Sequence, residues 1–456
     1  MTKIENTILE GKRHIHFIGI GGSGMFPLVQ ILHAQGYHIT GSDNNETDTV
    51  ATERRELGID VTIGQRAENI AGADLIVYTA AILKDNPELV AAKQSGVPCL
   101  ERAQLLGLIT KGYQNCVCVC GTHGKTTTTS MLTQIALGAG LDPTVVIGGK
   151  LEAIHGSGRV GESELMICEA CEFCDHFLLL DPDLCVILNI DADHLDYFGT
   201  LENVIRSFRR FAELTSGVVI VNGSDANAMK AVEGLAGREI VTFGWESTND
   251  YYPANVVHVG AQSSFDLMQG NRCIAPISVH VPGRHNILNA VAACVAALRS
   301  GAPADSLGRE LEKFHGAGRR FEILGKVDGV TIADDYAHHP TEIEATLRSA
   351  KELDFKRVWA VFQPFTYSRT AMLMDDFARV LSIADHVVLS EIMGGREVNT
   401  YNIYAKDLAE KIPGSVWFET FPEIAHYVLS HAEPGDLVIT LGCGDVNKCA
   451  HLMVGR

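Results

Sequence analysis

Short apolar runs alternate with amphipathic stretches along most of the chain. Apolar runs of this length indicate buried strands, and the helical period between them indicates helices that cover a parallel sheet. The runs that predict strands are His14–Ile18, Asp74–Thr79, Cys116–Cys120, Leu165–Cys168, Cys185–Ile190, Val218–Val221, Val358–Phe362, His386–Ser390 and Leu437–Leu441. Helical stretches in the first part are Met25–Gln35 and Glu88–Gln94. The pattern predicts an α/β fold throughout.

Weak breaks in this pattern divide the chain into three parts. The first break lies at Lys111-Gly112, and the second lies in the glycine-rich stretch Gly316-Ala317-Gly318. At roughly 100–200 residues per domain, a chain of 456 residues is expected to form several domains. We therefore predict domains at residues 1–112, 113–318 and 319–456.

Composition and charge narrow the range of partners. Acidic residues outnumber basic ones by 56 to 37, and the formal net charge is −19. Since proteins that bind nucleic acid without sequence preference depend on Lys and Arg, we expect no nucleic-acid partner. No apolar run approaches the roughly 18 residues of a membrane span, and the N-terminus has no export-signal pattern. We expect a cytoplasmic protein whose twelve cysteines are reduced, most of them as small core residues.

The first glycine-rich loop follows the strand His14–Ile18 and reads Gly19-Ile20-Gly21-Gly22-Ser23-Gly24. A helix is predicted after it, and Asp43 follows about twenty residues later, which is the spacing of a dinucleotide-binding fingerprint. The glycines allow backbone N–H groups to approach a diphosphate at a helix N-terminus. Three interpretations remain: a nicotinamide or flavin dinucleotide, another nucleoside diphosphate, or a tight turn without a ligand. The rest of the chain favours the second.

The second glycine-rich loop follows the strand Cys116–Cys120 and reads Gly121-Thr122-His123-Gly124-Lys125-Thr126-Thr127. It has two residues between its glycines where the usual phosphate loop has four, but it retains the groups that act on phosphate. Lys125 is placed to reach the β- and γ-phosphates, and the Thr126 hydroxyl is placed to ligate Mg²⁺. The predicted helix Thr126–Leu137 adds its positive end. We predict that this loop binds a nucleoside triphosphate.

Two strand ends predict further groups beside the triphosphate. Glu169 follows the strand Leu165–Cys168, and His194 follows another apolar strand. Because the carboxyl ends of parallel strands meet at one edge of the sheet, both are placed to hold Mg²⁺ or its waters. For His194 a hydrogen-bonding role at the start of a loop is the alternative. Cys168, Cys171 and Cys174 lack the fourth cysteine and the proline of a ferredoxin run, so we interpret them as core or loop thiols.

These motifs occur together in one family of ligases. They are GIGGSGM (Gly19–Met25), GSD (Gly41–Asp43), GTHGKTTTT (Gly121–Thr129), EA (Glu169-Ala170), DADHLD (Asp191–Asp196), PGRHNILN (Pro282–Asn289), GAGRRF (Gly316–Phe321), DDYAHHPTE (Asp334–Glu342), FQPFTYSRT (Phe362–Thr370) and GCGD (Gly442–Asp445). In this order along nearly the whole chain, the set resembles the Mur ligases of peptidoglycan synthesis. The resemblance implies a Rossmann-like UDP-binding domain, a central P-loop ATPase domain with a mainly parallel sheet, and a C-terminal Rossmann-like domain.

The resemblance extends to the branch of the family that adds L-alanine. It implies ATP-dependent ligation of L-alanine to the lactyl carboxylate of UDP-N-acetylmuramate through an acyl phosphate. ATP is then a co-substrate, two Mg²⁺ ions take part, and Mn²⁺ is a possible substitute. We expect a monomer or a homodimer.

The resemblance also assigns roles to single residues. For the UDP-sugar it implies Gly21, Gly22, Ser23, Gly24, Ser42 and Asp43. For ATP it implies Gly121, Thr122, His123, Gly124, Lys125, Thr126, Thr127, Asn289, Arg320 and Asp335. For the muramyl carboxylate and the amino acid it implies Tyr336, His338 and Arg369, and for the metal it implies Thr126, Glu169 and His194. The implied catalytic groups are Lys125, Glu169, His194 and His338, of which His338 either accepts the proton of the amine or binds carboxylate.

Three departures from the family pattern bear on these roles. Cys171 stands where many relatives carry Asp, so the metal charge rests on Glu169, with Glu172 as a second candidate. Thr366 stands where some alanine ligases carry Arg. The stretch Val204–Arg210 lacks the lysine that several sister ligases carbamylate, which fits the alanine branch.

Two other functions stay open as alternatives. The first is the recycling ligase that attaches a tripeptide to UDP-N-acetylmuramate. The second is an NAD-binding redox regulator that uses the first loop and the cysteines. That second function leaves the loop at Gly121–Thr129, Glu169 and Arg369 unexplained.

Overall fold

The computed structural model describes residues 6–395 and 397–455. Its strands form three sheets, and the chain packs into two compact units. The first unit contains the chain up to Ala254 together with Asp266–Pro276 and Leu288–Leu311. The second unit contains Asn255–Phe265, Ile277–Ile287 and the chain from Glu312 onward.

The first sheet has five parallel strands in the order β3-β2-β1-β4-β5. The strands are β1 (His14–Ile18), β2 (His38–Asp43), β3 (Asp60–Ile63), β4 (Leu75–Tyr78) and β5 (Cys99–Glu101). The helices are α1 (Phe26–Ala34), α2 (Asp48–Glu56), α3 (Pro87–Ser95) and α4 (Arg102–Thr110). Leu28, Ile31 and Leu32 share one side of α1 at helical spacing and are buried.

The second sheet has ten strands in the order β15-β14-β13-β12-β11-β10-β6-β9-β7-β8. The strands are β6 (Asn115–Cys120), β7 (Thr144–Leu151), β8 (Gly156–Arg159), β9 (Leu165–Glu169), β10 (Leu184–Ile187), β11 (Val218–Asn222), β12 (Glu239–Phe243), β13 (Tyr251–Val259), β14 (Gln262–Gln269) and β15 (Arg272–Val279). The helices are α5 (Lys125–Gly138), α6 (Leu195–Phe198), α7 (Leu201–Leu214), α8 (Ala226–Val232), α9 (His285–Arg299) and α10 (Ala304–Leu311). Strands β7 and β8 form an antiparallel hairpin that the sequence pattern did not predict.

The third sheet has six strands in the order β16-β17-β21-β18-β19-β20. The strands are β16 (Glu322–Val327), β17 (Val330–Asp335), β18 (Val358–Phe362), β19 (His386–Ser390), β20 (Val416–Phe418) and β21 (Leu437–Leu441). The helices are α11 (Pro340–Glu352), α12 (Tyr367–Met372), α13 (Met374–Leu381), α14 (Ala405–Ala409), α15 (Phe421–His431) and α16 (Asn447–Met453). Only β16 pairs in the antiparallel sense among the described pairs of this sheet. The predicted α/β class with mainly parallel sheets is confirmed.

The cysteines are concentrated in the centre of the second sheet. Seven of the twelve are buried: Cys116, Cys118, Cys120, Cys168, Cys185, Cys294 and Cys449. Cys116, Cys118 and Cys120 point to the same face of β6, since alternate residues of a strand share a face. Burial raises the pKa of the Cys185 thiol to about 12, so this group is neutral at physiological pH.

Within the part of the chain that is described, no helix combines the length and the apolar character that a membrane crossing requires.

Candidate functional site

The first glycine-rich loop connects β1 to α1, and Asp43 at the end of β2 holds it in place. The N–H of Gly21 donates to Asp43 Oδ2 at 3.0 Å, and the N–H of Asn45 donates to Asp43 Oδ1 at 3.2 Å. A Cβ at Gly21 would lie 2.7 Å from a methyl carbon of Val50, so the loop passes too close to α2 for any side chain there. The side chain of Asp43 therefore fixes the loop by accepting a hydrogen bond from its backbone.

Ser42 supports the same loop from inside the domain. Its hydroxyl is buried and donates to Glu88 Oε2 at 2.6 Å, while its carbonyl oxygen accepts from the N–H of Gly19 at 2.8 Å. Ser23, in contrast, is exposed at the loop surface. The structure thus places Ser23 where a ligand has access, and it places the Ser42 side chain in a buried hydrogen-bond network.

The second glycine-rich loop connects β6 to α5, and both of its glycines are required by close contacts. Gly121 has φ +144°, and a Cβ there would lie 2.8 Å from Leu188 Cβ. Gly124 has φ +85°, directly before α5, and a Cβ there would lie 2.6 Å from Asn289 Oδ1. The structure therefore brings Asn289, which the sequence places more than 160 residues away, against the start of α5.

Asn189 fixes the middle of this loop. Its Oδ1 accepts from the N–H of His123 at 2.8 Å, and its Nδ2 donates to the carbonyl oxygen of His123 at 3.0 Å. The Thr122 hydroxyl accepts from the N–H of Asp191 at 2.9 Å, and His123 Nε2 lies 3.3 Å from Asp191 Oδ2. Strand β10 ends at Ile187, three residues earlier than the pattern predicted, and the carbonyl oxygen of Asn189 beyond it accepts from the N–H of Thr122 at 3.1 Å. Asn189 was not predicted as a site residue.

Lys125 is held by three acceptors at the start of α5. Its Nζ donates to the carbonyl oxygens of Gly121 at 2.6 Å and Thr122 at 3.0 Å, and to Glu172 Oε1 at 3.0 Å. Glu172 is 2% exposed. Burial on its own would lower the pKa of Lys125, but the nearby carboxylates of Glu172 and Glu169 raise it above its usual value. The structure therefore makes Glu172 the partner of the lysine, a role that the sequence did not indicate.

Glu169 lies at the end of β9, and both of its carboxylate oxygens are held. Oε1 accepts from the Thr126 hydroxyl at 3.0 Å, and Oε2 accepts from the N–H of Gly148 on β7 at 2.7 Å. A hydroxyl and a carboxylate at this separation form an all-oxygen donor set, which suits Mg²⁺. Thr126 and Glu169 thus fit a magnesium ion without rearrangement of the backbone.

Cys171 and His194 both follow Glu169 in the sequence. His194 has φ +54° at the start of α6, its Nε2 lies 3.7 Å from Asp193 Oδ2, and its ring lies 4.9 Å from that of Phe173. Burial raises the pKa of the Cys171 thiol to about 11, so this residue carries no charge near neutral pH. Cys171 therefore does not replace the negative charge of an aspartate. The function of His194 as a metal ligand stays a prediction.

In the second unit, Tyr336 and two arginines form a cluster. The guanidinium carbons of Arg319 and Arg320 each lie 5.0 Å from the centre of the Tyr336 ring, which is cation–π geometry. Arg319 donates to Asp334 Oδ2 at 2.9 Å and to the carbonyl oxygens of Gly442 at 2.7 Å and Gly444 at 3.0 Å. Arg319 therefore connects the Gly442–Gly444 turn to β17. It was not predicted as a site residue.

Asp335 and His338 lie on either side of Tyr336. The carboxylate of Asp335 accepts from the N–H groups of Phe321 at 2.8 Å and Ala337 at 2.7 Å, and burial raises its pKa to about 6 against the opposing charge of Arg320. His338 Nδ1 lies 3.1 Å from the carbonyl oxygen of Tyr336 and 3.1 Å from Glu342 Oε2. Both of these neighbours are acceptors, so Nδ1 is placed to donate to them.

Thr366 and Arg369 lie at the N-terminus of α12. The Thr366 hydroxyl accepts from the N–H of Arg369 at 3.4 Å, so Thr366 is the N-cap of this helix. Burial raises the pKa of the Cys443 thiol, in the turn after β21, to about 12, and the charge of Arg369 opposes this shift. Thr366 therefore stabilises the start of α12 as its N-cap. Arg369 provides the positive charge of this helix.

Three sequence profiles of known families match the chain in succession. The profile described as "Mur ligase family, catalytic domain" matches residues 14–114. The profile described as "Mur ligase middle domain" matches residues 119–297. The profile described as "Mur ligase, glutamate ligase domain" matches residues 319–444.

Individual relatives resemble the chain over nearly its whole length. UDP-N-acetylmuramate–L-alanine ligase of Agathobacter rectalis is 47% identical over 441 residues, which cover 95% of this chain and 96% of the relative. The enzyme of the same name from Caldanaerobacter subterraneus is 43% identical over 445 residues, with 96% of each chain covered. The crystal structure of UDP-N-acetylmuramate–alanine ligase of Thermotoga maritima has a TM-score of 0.83 at 27% identity and covers 97% of this chain and 98% of its own. A murein peptide ligase of Psychrobacter arcticus has a TM-score of 0.76 at 25% identity, with the same coverage.

Proposed function

Because the chain belongs to the Mur ligase family, we propose that it joins L-alanine to the lactyl carboxylate of UDP-N-acetylmuramate at the expense of ATP. The observation that carries the proposal is the end-to-end similarity, at 47% identity, to a relative of that name. The site supports the ATP half of the reaction, since Lys125, Thr126 and Glu169 converge at the start of α5. We place the reaction in the cytoplasm, in a monomer or a homodimer.

We assign the three sheets to three domains, at residues 1–112, 113–318 and 319–456. The first glycine-rich loop, Gly21–Gly24, binds the diphosphate of the UDP-sugar, and Asp43 holds the loop through the N–H of Gly21. The second loop, Gly121–Thr127, binds the triphosphate of ATP, with Asn289, Arg320 and Asp335 as further contacts of the nucleotide.

Activation of the carboxylate depends on charge neutralisation and positioning. The γ-phosphoryl group moves from ATP to a lactyl carboxylate oxygen, which yields ADP and an acyl phosphate. Lys125 neutralises phosphate charge, and Thr126, Glu169 and His194 would hold two Mg²⁺ ions, for which Mn²⁺ could substitute. The bound metal supplies Lewis-acid stabilisation of the phosphate oxygens. Glu169 is ready for this task because Thr126 and Gly148 already fix both of its oxygens.

Amide formation then consumes the acyl phosphate. The neutral amino group of L-alanine attacks the acyl carbon, and inorganic phosphate leaves. We assign the amino-acid groups to Tyr336, His338 and Arg369, with Arg369 on a carboxylate. His338 accepts the proton of the amine at Nε2, because Nδ1 is committed to the Tyr336 carbonyl and to Glu342.

Measurement of ADP release tests the proposal. ATP, Mg²⁺ and UDP-N-acetylmuramate are supplied, and either single amino acids or the muramyl tripeptide is added as the acceptor. Release that depends on L-alanine, and that is lost in Lys125→Ala, supports the proposal. Release only with the tripeptide would transfer the protein to the recycling function of the murein peptide ligases, and no release with any acceptor would reject both.

A further inference from the structure

Arg102, the first residue of α4, carries a charge that the fold does not use. Its side chain is half-buried, and its guanidinium has no hydrogen-bond or ion-pair partner among residues 6–395 and 397–455. Partial burial of a charge without a partner costs free energy, so a residue of this kind needs another explanation than stability. The overall charge of −19 makes an unpaired arginine more unusual still.

The acid next to Arg102 is committed to other groups. The side chain of Glu101 caps α4, and its backbone N–H donates to Gln104 Oε1 at 2.8 Å. Glu101 Oε1 also lies 3.3 Å from His176 Nε2. The carboxylate that could neutralise Arg102 is therefore drawn away from it.

The guanidinium lies beside the first glycine-rich loop, which we assign to the UDP-sugar, and its charge reaches the segment that follows Glu169. On one side it lies against Gly24 of the first glycine-rich loop, where an added Cβ would lie 3.5 Å from Arg102 Nε and 3.6 Å from Cζ. On the other side its charge acts on Cys171 and His176, in the segment that follows Glu169. All of these residues belong to the first compact unit.

We propose that Arg102 binds an anionic group of the UDP-sugar, either the diphosphate at the first loop or the carboxylate that is to be activated. The proposal rests on the proposed function. A planar guanidinium offers two parallel N–H donors that match phosphate and carboxylate oxygens equally well. The anionic group of the ligand would provide the negatively charged partner that Arg102 lacks within the protein. The half-buried position strengthens this contact relative to one in open solvent.

Equilibrium binding of three ligands to wild type and Arg102→Gln tests the proposal. The ligands are UDP, UDP-N-acetylglucosamine, which lacks the carboxylate, and UDP-N-acetylmuramate. We expect Arg102→Gln to weaken binding roughly 10- to 100-fold, as for the loss of a charged hydrogen bond, and Arg102→Lys to weaken it less. Arg55→Gln is the matched control, since that side chain is 70% exposed on α2.

The pattern across ligands identifies the group that is bound. Equal weakening for all three ligands supports the diphosphate, and weakening confined to UDP-N-acetylmuramate supports the carboxylate. Unchanged affinities in Arg102→Gln, or a lower melting temperature as its only effect, would overturn the proposal. If wild type itself failed to bind UDP-N-acetylmuramate, the proposed function would fail instead.

Discussion

Lys125 Nζ lies 3.0 Å from the buried carboxylate of Glu172, and this contact uses the last of its three protons. The other two protons go to the carbonyl oxygens of Gly121 and Thr122. An ammonium group has only three donors, so a phosphate oxygen must displace one of these acceptors to bind Lys125. Glu172 is the acceptor that carries negative charge, and it therefore competes with the triphosphate.

Glu172→Gln is expected to tighten the binding of a non-hydrolysable ATP analogue about three- to tenfold. The amide still accepts a hydrogen bond from Nζ, but the competing charge is removed. Isothermal titration calorimetry of the variant against wild type measures the effect. The control is Glu162→Gln, an exposed glutamate shortly before β9. Weaker binding in Glu172→Gln would contradict the idea that Glu172 competes with the triphosphate for Lys125.

Thr126→Val is expected to weaken the binding of Mn²⁺ in the presence of the ATP analogue roughly 10- to 100-fold. The substitution keeps the shape of the side chain but removes the hydroxyl that contacts Glu169. Electron paramagnetic resonance of Mn²⁺ provides the measurement.

Thr128→Val is the matched control for this experiment. The Thr128 hydroxyl is fully buried and lacks a hydrogen-bond partner within the described residues. Its removal is expected to leave Mn²⁺ binding unchanged and to stabilise the fold by about 1 kcal/mol. Equal loss of Mn²⁺ affinity in both variants would mean that the effect reflects packing in α5.

Glu53→Gln is expected to stabilise the protein increasingly as the pH rises. Glu53 is fully buried on α2, both of its carboxyl oxygens lack partners in the described chain, and burial together with Asp43 raises its pKa from 4.5 to about 8. Between these values the folded state holds a proton that the unfolded state releases, so wild-type stability falls with rising pH by at most about 1.4 kcal/mol per unit. Below pH 4.5 and above pH 8 this contribution is constant.

Melting temperatures at pH 5.5 and pH 8 check this expectation. The difference between Glu53→Gln and wild type should be larger at pH 8. Glu56→Gln, on the exposed side of the same helix, should show no such trend. A difference that is independent of pH would mean that Glu53 does not carry the proton.

Arg319→Lys is expected to lower the free energy of unfolding by about 3 kcal/mol. The guanidinium reaches these acceptors from three separate nitrogens, Nε to Asp334, Nη1 to the carbonyl oxygen of Gly444 and Nη2 to that of Gly442, whereas a lysine has one nitrogen to replace them. The buried carboxylate of Asp334 is therefore expected to lose its charged partner. Denaturant titration gives the free energy of unfolding. Arg348→Lys should change this free energy little, because the Arg348 side chain is 64% exposed on α11. Equal small effects would show that the Arg319 contacts contribute no net stability.

The sequence alone was sufficient for the α/β class, because buried parallel strands leave continuous apolar runs such as Cys116–Cys120 and Val358–Phe362. The two loops were recognisable because glycines are needed where φ is positive and contacts are close, as at Gly121 and Gly124, and because lysine and threonine are the residues that a phosphate loop uses. The hairpin β7–β8 was missed, since Gly148, Gly149 and Gly156–Gly158 interrupt any apolar pattern there.

Contacts across long sequence separations could not be predicted. Asn189 reaches His123 over 66 residues, and Glu172 turns toward Lys125 over 47 residues. Nothing in the local sequence of Glu172 distinguishes a lysine partner from a metal ligand, because both need a carboxylate at the same strand end. The free charge of Arg102 was equally hidden, since it follows from what Glu101 contacts elsewhere.

The rate at which the buried thiols of the second sheet react reports how often that sheet unfolds. Cys116, Cys118 and Cys120 are inaccessible, and burial keeps Cys120 protonated, so a thiol reagent can reach them only in molecules whose central sheet has come apart. Exposed Cys273 reacts without that delay. Mass spectrometry with and without nucleotide would give the ratio of the two labelling rates. That ratio would report how far a bound ligand slows the transient unfolding of the strand that leads into the phosphate loop.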